Sequence, residues 1–345
     1  MSALQAAFLS QAESCEALDS PFMGRLLRLL AEHWPEDTTL AAKCATFEGD
    51  ISPKGHSLPL RIAGGLHALV LKSEDTGLSS VYPPNKSDDA DLLNAVLTAL
   101  RTHDAFLTDW ITHAPQTNEV RRSSVLIATA HLLADRFNLP IKLSELGASA
   151  GLNLMFDHFH LDVGDGYGPQ SKVALAPDWT GPLPPKADVT ISNRRGVDLN
   201  PLNSADTEDA LRLQSYLWAD QEERLHRTQA AIALNTAELD QDDAISWLER
   251  RLSTPKTGEL HMVYSTVAWQ YFPADRQNHG TTLMEAAGAQ ATEAAPLAWL
   301  SYEADDITHG AALILRLWPG NHTIPLGRAD FHGRWVEWHA PAKLP

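Results

Sequence analysis

The chain has 345 residues, 44% of them apolar, and carries 44 acidic against 27 basic side chains for a net charge of −17. That length and apolar content suit one large or two ordinary domains. The negative field repels phosphates and so argues against nucleic acid, leaving a small molecule or a protein as the expected substrate. Cys15 and Cys44 cannot form a disulfide framework, no His/Cys spacing matches a zinc ligand set, and MSALQAAFLSQAESCEALDS has neither the cationic start nor the apolar run of a signal peptide. With no stretch near the ~20 apolar residues of a membrane span, the expectation is a cytoplasmic protein without metal or membrane.

Residues 1–115 read as a helical N-terminal domain. Ser20-Pro21 is an N-cap and first-turn pair ahead of FMGRLLRLLAEHW. A Pro- and Gly-punctuated loop, EGDISPKGHSLP, then precedes an apolar helix whose Gly64-Gly65 pair serves packing or a kink. From Asp88 to Trp110, Leu92, Leu93, Val96, Leu97, Leu100 and Phe106 recur at helical spacing.

Residues 116–345 read as one Rossmann-like α/β domain. A helix opens near Thr117 and runs to Arg136 through Val125, Leu126, Ala130, Leu132 and Leu133. Pro140 to Gly147 is a short strand ending in glycine, followed by a helix from Leu152 to Phe159, while the Gly- and Pro-rich segment 164–186 is an inserted hairpin or loop. Strands at Val189–Val197, Thr236–Asp240, Leu260–Val267 and Leu297–Tyr302 then alternate with helices at Thr207–Leu234, Ala244–Leu252 and Arg276–Ala287. Such alternation predicts a mostly parallel sheet with helices on both faces. ALILRLWPG, Pro325 to Ala329 and RWVEWHA add an antiparallel pair at one edge.

The strongest local signal is SELGASAGLN, between strand and helix. Gly147 and Gly151 take the first and third small positions of a Glu-x-Gly-x-Ser-x-Gly loop, where the backbone approaches a ligand at a helix N-terminus. Ser149 replaces the middle glycine, and bulk there obstructs a pyrophosphate.

These residues resemble the first motif of Rossmann-like (class I) S-adenosylmethionine-dependent methyltransferases, an acid at a strand end joined to a glycine-rich turn. The resemblance covers roughly residues 118–345. It implies that Glu145 faces the methionine end of the cofactor, with Gly147, Ala148, Ser149 and Gly151 packed against it. GVDLNP resembles the second motif, which implies that Asp198, with Leu199 beside it, holds the ribose. Asp242-Asp243-Ala244 resembles a Gly-Asp-Ala element, which implies an adenine contact at Asp243 and Ala244. Val263 to Pro273 takes the place of the fourth strand and its loop, with Ser265 at the cofactor and Trp269 and Tyr271 at the acceptor pocket, approached by Asn118 from the preceding helix. Glu145 and Asp198 lie further apart than the ~20 residues of a compact dinucleotide unit, and the insertion at 164–186 accounts for the excess. ELGASAGLNL, QTNEVRR and GVDLNP together also resemble a family of conserved uncharacterised proteins.

Other readings stay open. GASAG is a literal Gly-x-Ser-x-Gly, the nucleophile elbow of α/β-hydrolases, with Asp305 or Asp306 and His309, His322 or His332 in suitable chain order. Against it, Glu145 is an awkward charge in an elbow strand and no His-Gly-Gly oxyanion segment precedes the motif. A non-catalytic S-adenosylmethionine or S-adenosylhomocysteine binder is a third reading. Asp243 equally suits a helix N-cap, Asp198 a turn cap, Asn118 a helix terminus, and Trp269 and Tyr271 plain packing. No residue is assigned as a catalytic base.

Overall fold

The computed structural model describes residues 2–345. The chain divides into two compact units, one running to Thr117 and including Ala205–Gln229, the other comprising Asn118–Ser204 and Ala230–Pro345.

The first unit is helical: α1 Ala3–Ala17, α2 Pro21–His33, α3 Thr39–Ala45, α4 Leu58–Leu71, α5 Thr76–Val81, α6 Asp89–Thr102 and α7 Asp104–Trp110. Phe8, Leu26, Leu27, Leu30, Leu40, Leu58, Ile62 and Leu66 bury into one apolar core. The single helix expected over Asp88 to Trp110 breaks at His103, which ends α6 and precedes α7. Gly64 and Gly65 serve packing: a Cβ on them would stand 2.6 Å from the Tyr216 ring and 2.7 Å from Leu107.

Segment 205–229 packs with these helices, so the helical unit is larger than residues 1–115. In place of one helix from Thr207 to Leu234 there are α9 Thr207–Ser215 and α10 Glu222–Leu234. Leu211 and Tyr216 join Ala68 and Trp110 in an apolar cluster. Asp220, in the break, accepts the Ser20 hydroxyl and, at 2.9 Å, the Phe22 amide. Ser20 therefore precedes α2 as expected, but the cap is supplied from Asp220.

The second unit is α/β. Its strands are β1 Ile141–Leu146, β2 His160–Leu161, β3 Ala174–Leu175, β4 Asp178–Thr180, β5 Ile191–Asp198, β6 Glu238–Gln241, β7 Leu260–Thr266, β8 Leu297–Glu303, β9 Ala311–Trp318, β10 His322–Ala329 and β11 Trp335–Trp338. Its helices include α8 Ser123–Phe137, α11 Ala244–Leu252 and α12 Ala274–Gly288. Nine strands form one sheet in the order β4-β11-β10-β9-β8-β7-β1-β5-β6. The run β6-β5-β1-β7-β8 is parallel, and β8 to β11 are successively antiparallel.

The antiparallel strands were expected at the edge, yet β4, from the insertion, adds one more strand parallel to β11. Also from the insertion, β3 pairs in parallel with β2, which precedes it, so these two strands are not the two arms of a hairpin. The turn after Gly151 continues as a 3-10 helix, Leu152–His158, in place of the expected α-helix.

Candidate functional site

Strand order locates the site. Among the parallel strands, β5 and β6 extend the sheet from β1 on one side and β7 and β8 on the other, so β1 lies at the switch point where open α/β sheets bind ligands beyond their carboxyl ends. The Glu145 to Gly151 segment stands at that end.

The turn alternates handedness, with φ +71° at Gly147, +55° at Ser149 and +73° at Gly151. A side chain at Gly147 would meet Ala268, 2.5 Å from its own Cβ, so the turn presses directly on the loop after β7. Most of its amides are spent inside the protein. Gly147 and Ala148 both donate to Val197 O at 3.0 Å, Ser149 to Asp198 Oδ2 at 2.9 Å, Gly151 to Ala148 O at 2.7 Å and Leu152 to Asn118 Oδ1 at 2.8 Å. A pyrophosphate cradle requires such amides to point outward. The Ser149 hydroxyl is buried and has no hydrogen-bond partner among the described residues.

Three carboxyl groups converge on this end of the sheet. Asp198, closing β5, binds the Ser149 amide through one oxygen and the Asn200 amide, at 2.9 Å, through the other. Glu145 is 1% exposed, with the Tyr264 hydroxyl 3.5 Å away as its hydrogen-bond donor. Burial pushes its carboxyl well above the usual range, against the pull of Tyr264 and the Arg122 charge, and Asp198 adds to the rise. Glu303, closing β8, is buried and accepts the amides of Ala268 and Trp269 at 3.1 Å and of Gln270 at 3.4 Å. Burial raises it as well, despite those donors.

Glu303 thereby holds the loop after β7, whose first residue, Val267, has φ +55°. A β-branched residue in the left-handed region is a strained outlier of the kind that gathers at binding sites. Half-buried Arg122 donates to Thr266 O and Phe331 O, both at 2.9 Å, and ties the end of β7 to the turn before β11.

The other sequence candidates divide. Asn118 is buried and braces the turn through Leu152. Ser265 is buried beside Glu303 without a fully formed hydrogen bond. Asp243 is the N-cap of α11, accepting the Ile245 and Ser246 amides at 3.1 and 2.8 Å, and pairs with Arg276; Ala244 is simply the first residue of that helix. Leu199 and Tyr271 are 67% and 73% exposed. Trp269 packs on Trp299 and Phe272, with ring centroids 5.2 and 5.5 Å away.

Sequence reasoning assigned no role to Asn153, Asn235 or Tyr264. Asn153 is fully buried, accepts the Ser123 hydroxyl at 2.7 Å and donates to Glu119 O at 3.3 Å. Asn235 donates to Ala150 O at 2.8 Å. Strand alternation could have found Tyr264, since β7 pairs it with Glu145 in register.

A family described as "Uncharacterized protein conserved in bacteria (DUF2332)" matches residues 5–338. The chain belongs to that family. The DUF2332 match runs from the first helix into β11 and so takes in the glycine turn, the insertion and the antiparallel strands together. No curated protein and no solved structure matches the chain.

Proposed function

We propose that this chain is an S-adenosylmethionine-dependent methyltransferase with a Rossmann-like cofactor domain, acting on a small-molecule or protein acceptor. One observation carries the reading: the turn at the switch point has spent its amides internally, while Glu145 and Asp198 stand at the ends of adjacent strands. Such a site disfavours a pyrophosphate and favours a ligand with a positive end and a neutral diol.

Each Asp198 oxygen accepts one loop amide and keeps a lone pair for a ribose hydroxyl. Glu145 would meet the ammonium or sulfonium end, and the unpartnered Ser149 hydroxyl offers a further polar contact. When bound, the cofactor supplies the methyl group as an electrophile. The protein's part is to hold the acceptor in line and keep water out. The adenine contact at Asp243 is not retained, because capping and Arg276 occupy that carboxylate.

Ser149 at positive φ in Gly-x-Ser-x-Gly is the one feature favouring a hydrolase. The downstream groups oppose it: Asp305 pairs with Arg328 at 2.8 Å, His309 with Glu337 at 2.9 Å, and the Ser149 hydroxyl has no histidine partner among the described residues.

Calorimetric titration with S-adenosylmethionine, S-adenosylhomocysteine and, as control, NAD tests the proposal. Saturable binding of the first two, lost in Asp198→Ala, supports it; binding of neither, or covalent labelling of Ser149 by an active-serine probe, sinks it. Binding without methyl transfer to any acceptor extract would leave the non-catalytic binder as the better reading.

A further inference from the structure

A cavity of about 190 Å³ opens at the opposite end of the strands from the glycine turn. It sits at the amino ends of β1, β7 and β8, where Lys142, His261 and Leu297 are the second, second and first residues. Its walls are largely apolar, from Leu252, Ala287, Ala291 and Leu297, and its charged and ring groups are Lys142, Lys256, Glu259 and His261, with Ser253, Thr254 and Gln290 also polar.

The network behind His261 favours one tautomer. Arg251, which can only donate, gives its Nε–H to Ser144 Oγ at 3.1 Å. Ser144 keeps its proton and one lone pair, and donating that proton to His261 Nε2, at 2.8 Å, is the arrangement that leaves no buried hydrogen of the pair unused. In that arrangement His261, which lines the cavity, carries its proton on Nδ1, for which no acceptor stands among the described residues.

Lys142 places one of its three ammonium donors toward Arg251 O, at 3.4 Å, and keeps the others. Glu259 is the one acid in the lining, and Ser192, at 2.7 Å, and Lys256, at 3.4 Å, already engage it. Lys142 and His261 thus bring two donors, one charged, to a largely apolar cavity whose one carboxylate, Glu259, is already engaged.

We infer that this cavity is a binding site for a small monocarboxylic acid, its carboxylate held by Lys142 Nζ and His261 Nδ1–H and its apolar body by Leu252, Ala287, Ala291 and Leu297. A dry cavity of ~150 Å³ takes a benzene ring, so the size suits a benzoate-like or short branched acid. Burial, reinforced by Arg251 and Lys256 against the pull of Glu259, lowers the Lys142 ammonium. Burial, with Lys142 and Arg251 adding to it, lowers His261 further. An anion would relieve that mutual repulsion.

The site stands apart from the proposed cofactor site, and its test does not depend on it. The protein is titrated with benzoate and isovalerate and with their amides, benzamide and isovaleramide, while the His261 ring nitrogens are followed by NMR. Expected are saturable binding of an acid, about tenfold or more weaker binding of its amide, a shifted Nδ1 resonance, and a similar loss in Lys142→Gln. No saturation by about 10 mM, equal binding of acid and amide, or binding unaltered by Lys142→Gln overturns the assignment. If Lys142→Gln does not fold, the acid–amide ratio and the Nδ1 shift in the parent protein decide.

Discussion

Folding buries the Glu145 carboxyl beside one distant hydroxyl donor, and the burial keeps it protonated well above the usual carboxylate range. The folded state then holds a proton that the unfolded chain releases at the ordinary pKa. This group's contribution to stability is complete below that pKa and declines as pH rises toward the folded value. Glu145→Gln keeps the shape and removes the ionisation. It should match the parent near pH 4, exceed it in denaturant stability at pH 8, and show a flatter pH profile; identical slopes would refute the assignment. A cationic ligand favours the ionised form, so binding should release a proton, read as apparent enthalpies that differ between buffers of unequal ionisation enthalpy. Asp198 is clasped by two backbone amides. Hydrogen bonds to a charged group contribute about 1.5–3 kcal/mol each, and solvent reaching this partly exposed residue takes up some of the loss. Asp198→Ala should therefore lower unfolding free energy by about 1–3 kcal/mol, measured in urea without ligand, and an unchanged midpoint would leave the clasp without weight.

The glycine turn is an element whose geometry has a matched control. Gly147, at φ +71°, would place a Cβ 2.5 Å from that of Ala268, whereas Gly258, at φ +83°, has nothing within 4 Å of such a Cβ. Alanine at either position incurs the left-handed penalty of roughly 1–2 kcal/mol, but only at 147 must the loop after β7 also move. Gly147→Ala should be the more destabilising and should weaken ligand binding, while Gly258→Ala leaves binding intact; equal losses in calorimetry and in urea would show that the close approach does not matter. Elements whose local chemistry agrees with their packing were legible in the sequence. α11 has Asp243 as its cap and its expected limits, and β1 ends in glycine where its turn begins. The helix over Thr207 to Leu234 misled because apolar spacing continues through the break, which is set by Asp220 reaching Ser20 and Phe22 far back in the chain. The 3-10 geometry of Leu152–His158 was hidden for a similar reason: its buried Asn153 is pinned from Ser123 and Glu119. At the site, the glycines and the two acids stand out by spacing. The grip of Glu303 on the Ala268 to Gln270 amides and the strain at Val267 depend on β8 lying beside β7, which no local pattern encodes.

At the scale of the whole molecule, the division into units makes the helical one discontinuous, and that has a measurable consequence. Its share of the later chain, Ala205–Gln229, supplies the Asp220 cap of α2, the Leu211 and Tyr216 side chains set against Ala68 and Trp110, and Trp218 against the main helical core. Gln221 Nε2 also donates to Leu18 O, at 3.1 Å, at the end of α1. A fragment ending at Thr117 loses all of these together. Full burial of a large apolar side chain is worth about 1.5–3 kcal/mol and a helix cap about 1 kcal/mol, so the combined loss rivals the ~5–15 kcal/mol that holds a whole domain together. The fragment to Thr117 should therefore lack a cooperative unfolding transition by circular dichroism, although its helices are largely local in sequence. The same fragment with 205–229 appended through a flexible linker should recover one. A sharp transition in the short fragment, at the same urea midpoint as in the extended one, would mean that the helical unit stands without its inserted segment.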